Sequence, residues 1–216
     1  MNHVVGSDWY NNLKQELKAS SSSIEKVSRR AEYWRKSNLD ITSDHVQDLS
    51  LLDIGRLGGI YLYKPDLIIN GDRLKLESKK TCYVSSIMDA ISDENSLAKD
   101  YFSRLEIKSQ KTIPRPLARD NTLSAKAGYI LNFSESLEKP FVIHNETSKT
   151  ANNYFQRNLI IVKEGVEITL IETGNNLAVY NSVTEIYLEK NAKLNYLDLT
   201  GLNNISPKIS HKFCDL

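Results

Sequence analysis

The sequence is short of the features that mark several protein classes. Its 216 residues include two cysteines, which lie far apart at positions 82 and 214. A disulfide framework or a CxxC metal motif needs more cysteines or closer ones, so this usage fits a reducing compartment. Basic and acidic residues number 28 and 27, for a net charge of +1. Such a balance argues against a nucleic-acid footprint at the level of the whole chain.

Long apolar runs are missing as well. No stretch reaches the roughly 18 consecutive apolar residues that a membrane span needs. The N-terminus lacks the charged region and the apolar run of a secretory signal. We therefore expect a cytoplasmic protein with neither a membrane nor a nucleic acid as its partner. A chain of 216 residues allows one large domain or two small ones with a substantial core.

Motifs of common enzyme classes are not found in the sequence. Gly55 and Gly58-Gly59 do not fall in a phosphate-binding frame, and no GxSxG or HExxH motif occurs. We assign no catalytic residue and expect a protein that is not an enzyme. Glutamates in the C-terminal part are predicted to lie on a solvated strand face, since they alternate with apolar residues. They are Glu164, Glu167, Glu172, Glu185 and Glu189.

The histidines and cysteines do not form a recognisable ligand set. His144 ends an apolar strand-like run, and a strand-end histidine is the favoured interpretation over a ligand. His211 and Cys214 are three residues apart, which is a weak metal signal because no further donor lies nearby. Cys82 is interpreted as a small buried side chain. We assign no metal ligand and no cofactor-binding residue.

The first part of the chain carries helical signals. Ser7 is placed to cap a helix that has Trp9 and Leu17 on one face. Ser23 is predicted to start a second helix. Both Trp9 and Trp34 are interpreted as core residues, since large aromatic side chains are usually buried.

The middle of the chain mixes helix and strand signals. Asn70-Gly71 predicts a hairpin between two strand-like runs. Residues 85–91 and 96–105 have the apolar spacing of short helices. The run Ile113-Pro114-Arg115-Pro116 cannot continue a helix, because proline removes a donor and restricts the residue before it. We place a domain boundary near residue 120, beyond which helical periodicity is scarce.

Two similar segments follow one another near the end of the sequence. Residues 159–172 and 185–198 each contain two strand-like runs joined by a turn, with Gly165 and Asn191 at the same place (165 to 191, an offset of 26). The run after each turn alternates apolar and polar residues. Glycine and asparagine tolerate a positive φ, so each can turn the chain sharply. A repeat of this length is typical of stacked coils. Alternation alone leaves antiparallel hairpins of a jelly roll as the alternative.

Several segments resemble the SufB/SufD family of iron–sulfur cluster assembly proteins, and its SufD members most closely. Ala31-Glu32-Tyr33-Trp34-Arg35 is similar to the family's E-x-W-R stretch, and the repeat is similar to the family's paired "e-g-A-e-x-t-l" and "e-n-A-x-l-x-y" segments. The similar segments keep the family's order over nearly the whole chain. They are residues 31–39, 66–71 with 84–91, 127–143, and 158–172 with 183–199.

The resemblance implies both a fold and a role. It predicts an α+β chain, with a helical and small mixed region at residues 1–120 and the first coils of a right-handed parallel β-helix at 121–216. It also implies a non-catalytic scaffold subunit whose partners are a SufB-like subunit and a SufC-like ATPase. The iron–sulfur cluster is then a product of the complex, and no residue of this chain is assigned to bind it.

The sequence departs from the family in length. Family members are longer, so the resemblance predicts an N-terminal half that lacks the later coils and the C-terminal helices that dock the partners. We carry no functional residue of the family onto this sequence.

The alternatives are a stand-alone β-rich, jelly-roll-like binding module and a carbohydrate-active enzyme on a β-helix. Parallel strand neighbours favour the scaffold, and hairpin pairing favours the binding module.

Overall fold

The computed structural model describes residues 7–21, 60–63, 81–146, 153–175, 179–199 and 208–215. These residues form five helices and nine strands. The helices are α1 (Asp8–Ser21), α2 (Ile87–Ser92), α3 (Ser96–Tyr101), α4 (Arg104–Gln110) and α5 (Pro116–Ser124). The strands are β1 (Ile60–Tyr63), β2 (Cys82–Ser86), β3 (Tyr129–Phe133), β4 (Phe141–Glu146), β5 (Asn153–Val162), β6 (Glu167–Asn175), β7 (Val179–Leu188), β8 (Lys193–Asp198) and β9 (Lys208–Asp215).

The strands build two sheets. Sheet 1 has the order β1-β4-β6-β8 and is parallel throughout. Sheet 2 has the order β2-β3-β5-β7-β9 and is parallel except for the β2–β3 pair. From β3 to β9, successive strands alternate between the two sheets. The chain therefore passes from sheet to sheet and returns beside its earlier path.

The register confirms the offset seen in the sequence. The Lys163 Nζ atom donates a hydrogen bond to Glu189, and the Lys193 Nζ atom donates one to Glu167. In both pairs the two residues are 26 positions apart in the sequence. Gly165 and Asn191 have φ values of 72° and 60°, as the turn prediction requires. The Gly165 N–H donates to the Lys190 carbonyl at 3.0 Å, so the two turns lie one above the other.

Strand direction decides between the two readings of the repeat. The hairpin interpretation is wrong, because the strands on either side of Gly165 belong to different sheets and their neighbours are parallel. The α+β class is confirmed. The right-handed β-helix and the domain division at residue 120 stay predictions; helix α5, Pro116–Ser124, runs across that position.

Apolar side chains fill the space between the sheets. Alternate residues of β3 and β5 point from sheet 2 toward sheet 1, where alternate residues of β4 and β6 meet them. At the end of the sheets away from Gly165, the face of sheet 2 that points toward sheet 1 becomes polar. There the Asn158 side chain donates to the Thr184 hydroxyl at 3.2 Å. The main apolar members are Leu131, Phe133, Phe141, Ile143, Ile160, Val162, Ile168, Leu170 and Ile186.

A second core lies on the other face of sheet 2, beneath the helices. The odd-numbered residues of β5 and β7 point to this side, so each of these strands contributes side chains to both cores. Trp9, Tyr10 and Phe102 form an edge-to-face aromatic group there, with ring centres 5.6 to 6.2 Å apart. The prediction that Trp9 is a core residue is confirmed. The buried members include Tyr10, Ile87, Ile91, Ala98, Phe102, Ile130, Leu159, Ile161, Val183, Tyr187 and Phe213.

The helices begin and end somewhat differently from the prediction. The helix predicted from residue 85 begins at Ile87 instead, because residues 85 and 86 belong to β2. Ser86 caps α2, and its hydroxyl accepts the Met88 and Asp89 N–H groups. The predicted helix 96–105 is interrupted at Ser103, whose φ is 61°. Helix α5 was not predicted; Pro116 occupies its first turn, where the missing N–H is not needed.

Helix α1 was predicted, but its cap differs. The Ser7 carbonyl accepts the Tyr10 and Asn11 N–H groups, whereas the buried Ser7 hydroxyl has no hydrogen-bond partner in the described part of the chain.

Three predicted features lie outside the described residues: the helix from Ser23, the core position of Trp34 and the Asn70-Gly71 hairpin. Among the helices that the structure describes, none is long and apolar enough to span a membrane.

One glycine holds a close approach of backbone to backbone. Gly128 precedes β3 with φ at 137°, and a Cβ placed on it would lie 1.7 Å from the Arg157 carbonyl oxygen. On the same stretch the Ala127 carbonyl accepts the Arg157 N–H at 2.9 Å. A side chain at position 128 would therefore prevent this approach to the Arg157 backbone.

Candidate functional site

A buried ionic network joins the helices to sheet 2. Arg157 of β5 is 1% exposed, and Glu106 of α4 and Glu185 of β7 are 0% and 1% exposed. The Arg157 Nη1 atom lies 2.9 Å from Glu106 Oε2, and its Nη2 atom lies 3.0 Å from Glu185 Oε2. One guanidinium thus bridges a carboxylate from a helix and a carboxylate from a neighbouring strand.

Glu185 acts as the N-cap of α4 from a distant part of the sequence. Its Oε1 atom accepts the N–H groups of Leu105 and Glu106 at 2.9 and 3.0 Å, and its Oε2 atom accepts that of Ser103 at 2.7 Å. Ser103, the residue at the cap position, makes no side-chain cap bond. A carboxylate at a helix N-terminus satisfies orphan donors and complements the helix dipole.

Glu106 is held by side chains on every side. Its Oε1 atom accepts from Gln110, and its Oε2 atom accepts from Arg157 and from the Thr122 hydroxyl, the latter at 2.5 Å. The Arg157 guanidinium also lies over the Phe102 ring, with 5.1 Å from its central carbon to the ring centre. The network is therefore satisfied internally, apart from the Arg157 Nε atom, which has no partner in the described part of the chain.

The electrostatics follow from burial and pairing. Burial lowers the pKa of Arg157, but the charges of Glu185 and Glu106 outweigh this effect and raise it. Burial raises the pKa of Glu185, against which Arg157 and the backbone N–H groups act. The N-terminus of α4 faces the Glu185 carboxylate directly, and its partial positive charge favours the charged form there. This arrangement fixes geometry and offers no exposed reactive group.

An amide network continues the contact along α5. The Asn121 amide donates to the carbonyls of Gln156 and Asn181, at 3.1 and 2.8 Å. The Asn181 amide in turn donates to the Leu117 carbonyl at 3.0 Å. Helix α5 is thus hydrogen-bonded to two adjacent strands, β5 and β7, which sets its position on the sheet.

Sequence reasoning missed this network. Glu185 was predicted to lie on a solvated face, and so was Glu172, yet both are buried. Glu172 points between the sheets and accepts a hydrogen bond from the Tyr196 hydroxyl. The available signal was a break in the repeat: Glu185 pairs in register with the apolar Leu159. For Glu164 and Glu167 the prediction of exposure is confirmed.

The predicted histidine and cysteine positions do not converge. His211 is buried on β9 while Cys214 is exposed, because residues three apart on a strand point to opposite faces. His144 lies in β4, but its side chain is outside the described residues, as are His3 and His45. No group of histidine, cysteine or acidic residues suited to a metal occurs within the described ranges.

Cys82 is buried, as predicted. Its burial raises the pKa of the thiol, which keeps the side chain neutral. It packs in the core between the two sheets beside Phe133, its register partner on β3. Cys82 is therefore a packing residue.

Strands β8 and β9 each lie at an edge of their sheet. In the part of the chain that the structure describes, each of these strands pairs on one side only. Asp198 of β8 holds the two together, through Lys208 at 2.9 Å and Lys212 at 2.8 Å. Leu197 is 44% exposed on β8. Open strand edges can pair with another chain, and charged residues restrain unwanted pairing.

Comparison with known proteins bears on this same part of the molecule. No curated protein and no solved structure matches the chain. Residues 142–216 match the family model described as "SUF system FeS cluster assembly, SufBD core domain". The match runs from β4 through β9, the strands that alternate between the two sheets. Residues 142–216 are thus similar to the core domain of SufB/SufD proteins of the SUF iron–sulfur cluster assembly system.

Proposed function

We propose that this protein is a SufD-like, non-catalytic scaffold subunit of the SUF iron–sulfur cluster assembly system, acting in the cytoplasm. The observation that carries the proposal is the SufBD core match over residues 142–216. The alternation of β3–β9 between two parallel sheets agrees with it, since stacked coils are suited to presenting long surfaces to partners. We further propose that these strands are coils of a right-handed parallel β-helix.

The proposed partners are a SufB-like subunit and a SufC-like ATPase. Among the described residues β8 and β9 each pair on one side only, which makes the β8–β9 edge the surface to test. Backbone groups along that edge would pair with a strand of the SufB-like subunit, and the Leu197 side chain would be covered. The SufC-like ATPase would then be recruited through the SufB-like subunit.

Co-expression with the two partners tests the proposal. We expect the chain to co-purify with the SufB-like subunit and to increase the amount of iron–sulfur cluster that the complex assembles, measured by absorbance and iron content. Leu197→Arg should reduce co-purification, because it places a charge on the contact surface. The matched control is Tyr83→Arg, since Tyr83 is similarly exposed, at 38%, but lies on β2 at the far edge of sheet 2.

The results separate the parts of the proposal. Absence of co-purification together with unchanged cluster assembly contradicts the scaffold role. Co-purification that both variants reduce equally, or that neither reduces, contradicts the β8–β9 edge as the contact surface while leaving the scaffold role supported.

A further inference from the structure

Helices α3 and α4 are separated by a break that the local sequence does not explain. Two residues, Phe102 and Ser103, lie between them. Residues 96–110 contain neither glycine nor proline, the residues that most disfavour a helix interior. Ala98, Phe102 and Leu105 keep the spacing of one helix face across the break, and all three are buried. The cause of the break must therefore lie outside this segment.

One of the two residues at the break has an unfavourable backbone. Phe102 is extended, with φ at −61° and ψ at 128°, whereas Ser103 is in the left-handed region, with φ at 61°. A residue that carries a Cβ rarely adopts this region, because the Cβ crowds the following carbonyl oxygen. A continuous helix would remove this strain from Ser103. Contacts from other elements therefore hold the break in place.

Glu185 of β7 accepts the N–H groups that the break leaves without helical partners. In a continuous helix each N–H donates to the carbonyl four residues earlier. The N–H groups of Ser103, Leu105 and Glu106 would then donate to carbonyls within α3 and at Phe102. In the structure all three donate to the Glu185 carboxylate instead. One carboxylate thus replaces three carbonyl acceptors of the helix.

A second side chain of β7 binds the other side of the break. The Tyr187 hydroxyl donates to the Tyr101 carbonyl at 2.8 Å. That carbonyl would be the acceptor for the Leu105 N–H in a continuous helix. The two tyrosine rings meet edge to face, with 4.7 Å between their centres. Strand β7 therefore satisfies a carbonyl before the break as well as the N–H groups after it.

The role of Glu185 depends on its charge. Its Oε1 atom accepts two N–H groups, and its Oε2 atom accepts one and lies 3.0 Å from Arg157 Nη2. A proton on either oxygen removes acceptor capacity and the attraction to Arg157, which keeps Glu106 as its partner. Burial raises the pKa of Glu185, more than Arg157 and the N–H groups lower it. The folded chain therefore takes up this proton at a higher pH than the unfolded chain, so protonation occurs within the folded state.

Few other groups near the network titrate below neutral pH. Arg104 of α4 is exposed and lies 4.0 Å from Asp100 across the break. Helix α5 contributes the uncharged Thr122. Burial raises the pKa of Tyr10 and of Tyr187, so both stay neutral there. The charged and titratable groups that act on one another around Glu185 are Arg157 on β5, Glu106 and Arg104 on α4, Tyr187 on β7, Tyr10 on α1 and His211 on β9.

We propose that residues 96–110 are a conformational switch controlled by Glu185. With Glu185 ionised they form two helices that bend at Ser103, and with Glu185 protonated they join into one helix in which Ser103 leaves the left-handed region. In the bent form α3 packs against α2 and α4 packs against β9. One straight helix cannot keep both contacts, so joining moves α4 away from the edge strand β9. The switch is independent of the scaffold role, so neither proposal depends on the other.

NMR spectra of the full chain test the switch through the backbone of Phe102. As the pH falls from neutral toward the ordinary pKa of glutamate, about 4.3, the wild-type Phe102 Cα signal should shift downfield into the helical range. A nuclear Overhauser effect between the Tyr101 Hα and the Leu105 N–H, typical of one helical turn, should appear with it. Glu185→Gln, which cannot carry the charge, should show both features already at neutral pH.

Two variants serve as controls. Glu189→Gln removes a carboxylate from the same strand, but Glu189 is partly exposed and pairs with Lys163, so this variant should keep the bend at neutral pH. His211→Phe removes the histidine that also titrates in this range and should keep the wild-type response to pH.

The wild-type titration decides the proposal without relying on any variant. A Phe102 signal that stays outside the helical range until the whole chain unfolds overturns it. So does a folded Glu185→Gln protein that keeps the bend, a Glu189→Gln protein that loses it, or a response to pH that disappears in His211→Phe.

Discussion

On one side of sheet 2, Ile160 and Val162 pack against sheet 1 through aliphatic contacts. On the other side, Arg157 and Glu185 of the same sheet hold the helices through charged hydrogen bonds. Apolar packing is non-directional and tolerates exchange of similar side chains. Hydrogen bonds need a donor and an acceptor at a fixed distance, so they do not tolerate such an exchange of side chains. Apolar packing contributes stability on both sides, since a second apolar core lies beneath the helices. We infer that the charged hydrogen bonds of the helix-facing side, the ionic face, set where the helices lie, whereas the side toward sheet 1, the apolar face, relies on packing alone.

The largest expected effect comes from removing the cation of the ionic face. Arg157→Met leaves Glu106 and Glu185 buried without it, and we expect a loss of about 3–5 kcal/mol in the free energy of unfolding, measured in urea. The loss should shrink as the pH is lowered, because burial raises the pKa of the Glu185 carboxyl, which takes up a proton once the Arg157 charge is gone. Arg104→Met, the exposed control, should cost less than about 0.5 kcal/mol. A small, pH-independent loss in Arg157→Met would show that the two faces do not differ as described.

The apolar face should respond without pH dependence. Ile160→Ala removes a side chain that is fully buried between the sheets, and we expect a loss of about 2–5 kcal/mol in the free energy of unfolding. Ile160→Val, which removes one methylene, should cost about 0.5–1.5 kcal/mol. Urea unfolding at two pH values measures both. A pH-dependent loss in Ile160→Ala would contradict the distinction between the faces.

His211 gives the ionic face a dependence on mildly acidic pH. Burial, followed by the Arg115 charge, lowers the pKa of His211, against the smaller effect of Glu106. The unfolded chain therefore takes up a proton at a higher pH, near the ordinary value of about 6.5. Stability should fall as the pH drops through this range, because only the unfolded state binds the proton. His211→Phe should show a smaller fall between pH 7.5 and 5.5, and an identical fall would exclude His211 as the cause.

The smallest effect is expected at the turns, which belong to neither face. Gly165 has a φ of 72° and open space where a Cβ would lie, so Gly165→Ala should cost about 1–2 kcal/mol through backbone conformation alone. Asn191→Gly should change the free energy of unfolding by less, because asparagine already tolerates this conformation. Thermal unfolding of the two variants compares them. A larger loss at Asn191 would show that its side chain contributes as well.

The predictability of the fold differs along the chain. The repeat around Gly165 and Asn191 predicted two turns with positive φ at a fixed offset, and both are confirmed. Local signals sufficed because a turn depends on the conformational freedom of a few residues. The pairing partner of each strand was left open. Parallel and antiparallel neighbours produce the same alternation of apolar and polar residues.

The ionic network could not be predicted from the sequence alone. A glutamate such as Glu185 in an alternating strand indicates an exposed side, and it becomes a buried cap only because α4 lies above it. Helix α5 was missed because Pro114 and Pro116 were interpreted as the end of helical structure, whereas Pro116 lies in the first turn. The match to the SufBD core covers residues 142–216 and agrees with the resemblance noted for the segments in that range.

The sequence by itself determined the periodicity, the positions of the sharp turns and the family resemblance of the repeat, since these depend on residue type and spacing. The tertiary structure decided which strands pair, which face of sheet 2 receives the helices, and that Arg157 meets Glu106 and Glu185 there. It also left the Nε and Nη1 atoms of Arg119 buried without a hydrogen-bond partner among the described residues. Such contacts join residues far apart in the chain, and only packing brings them within bonding distance.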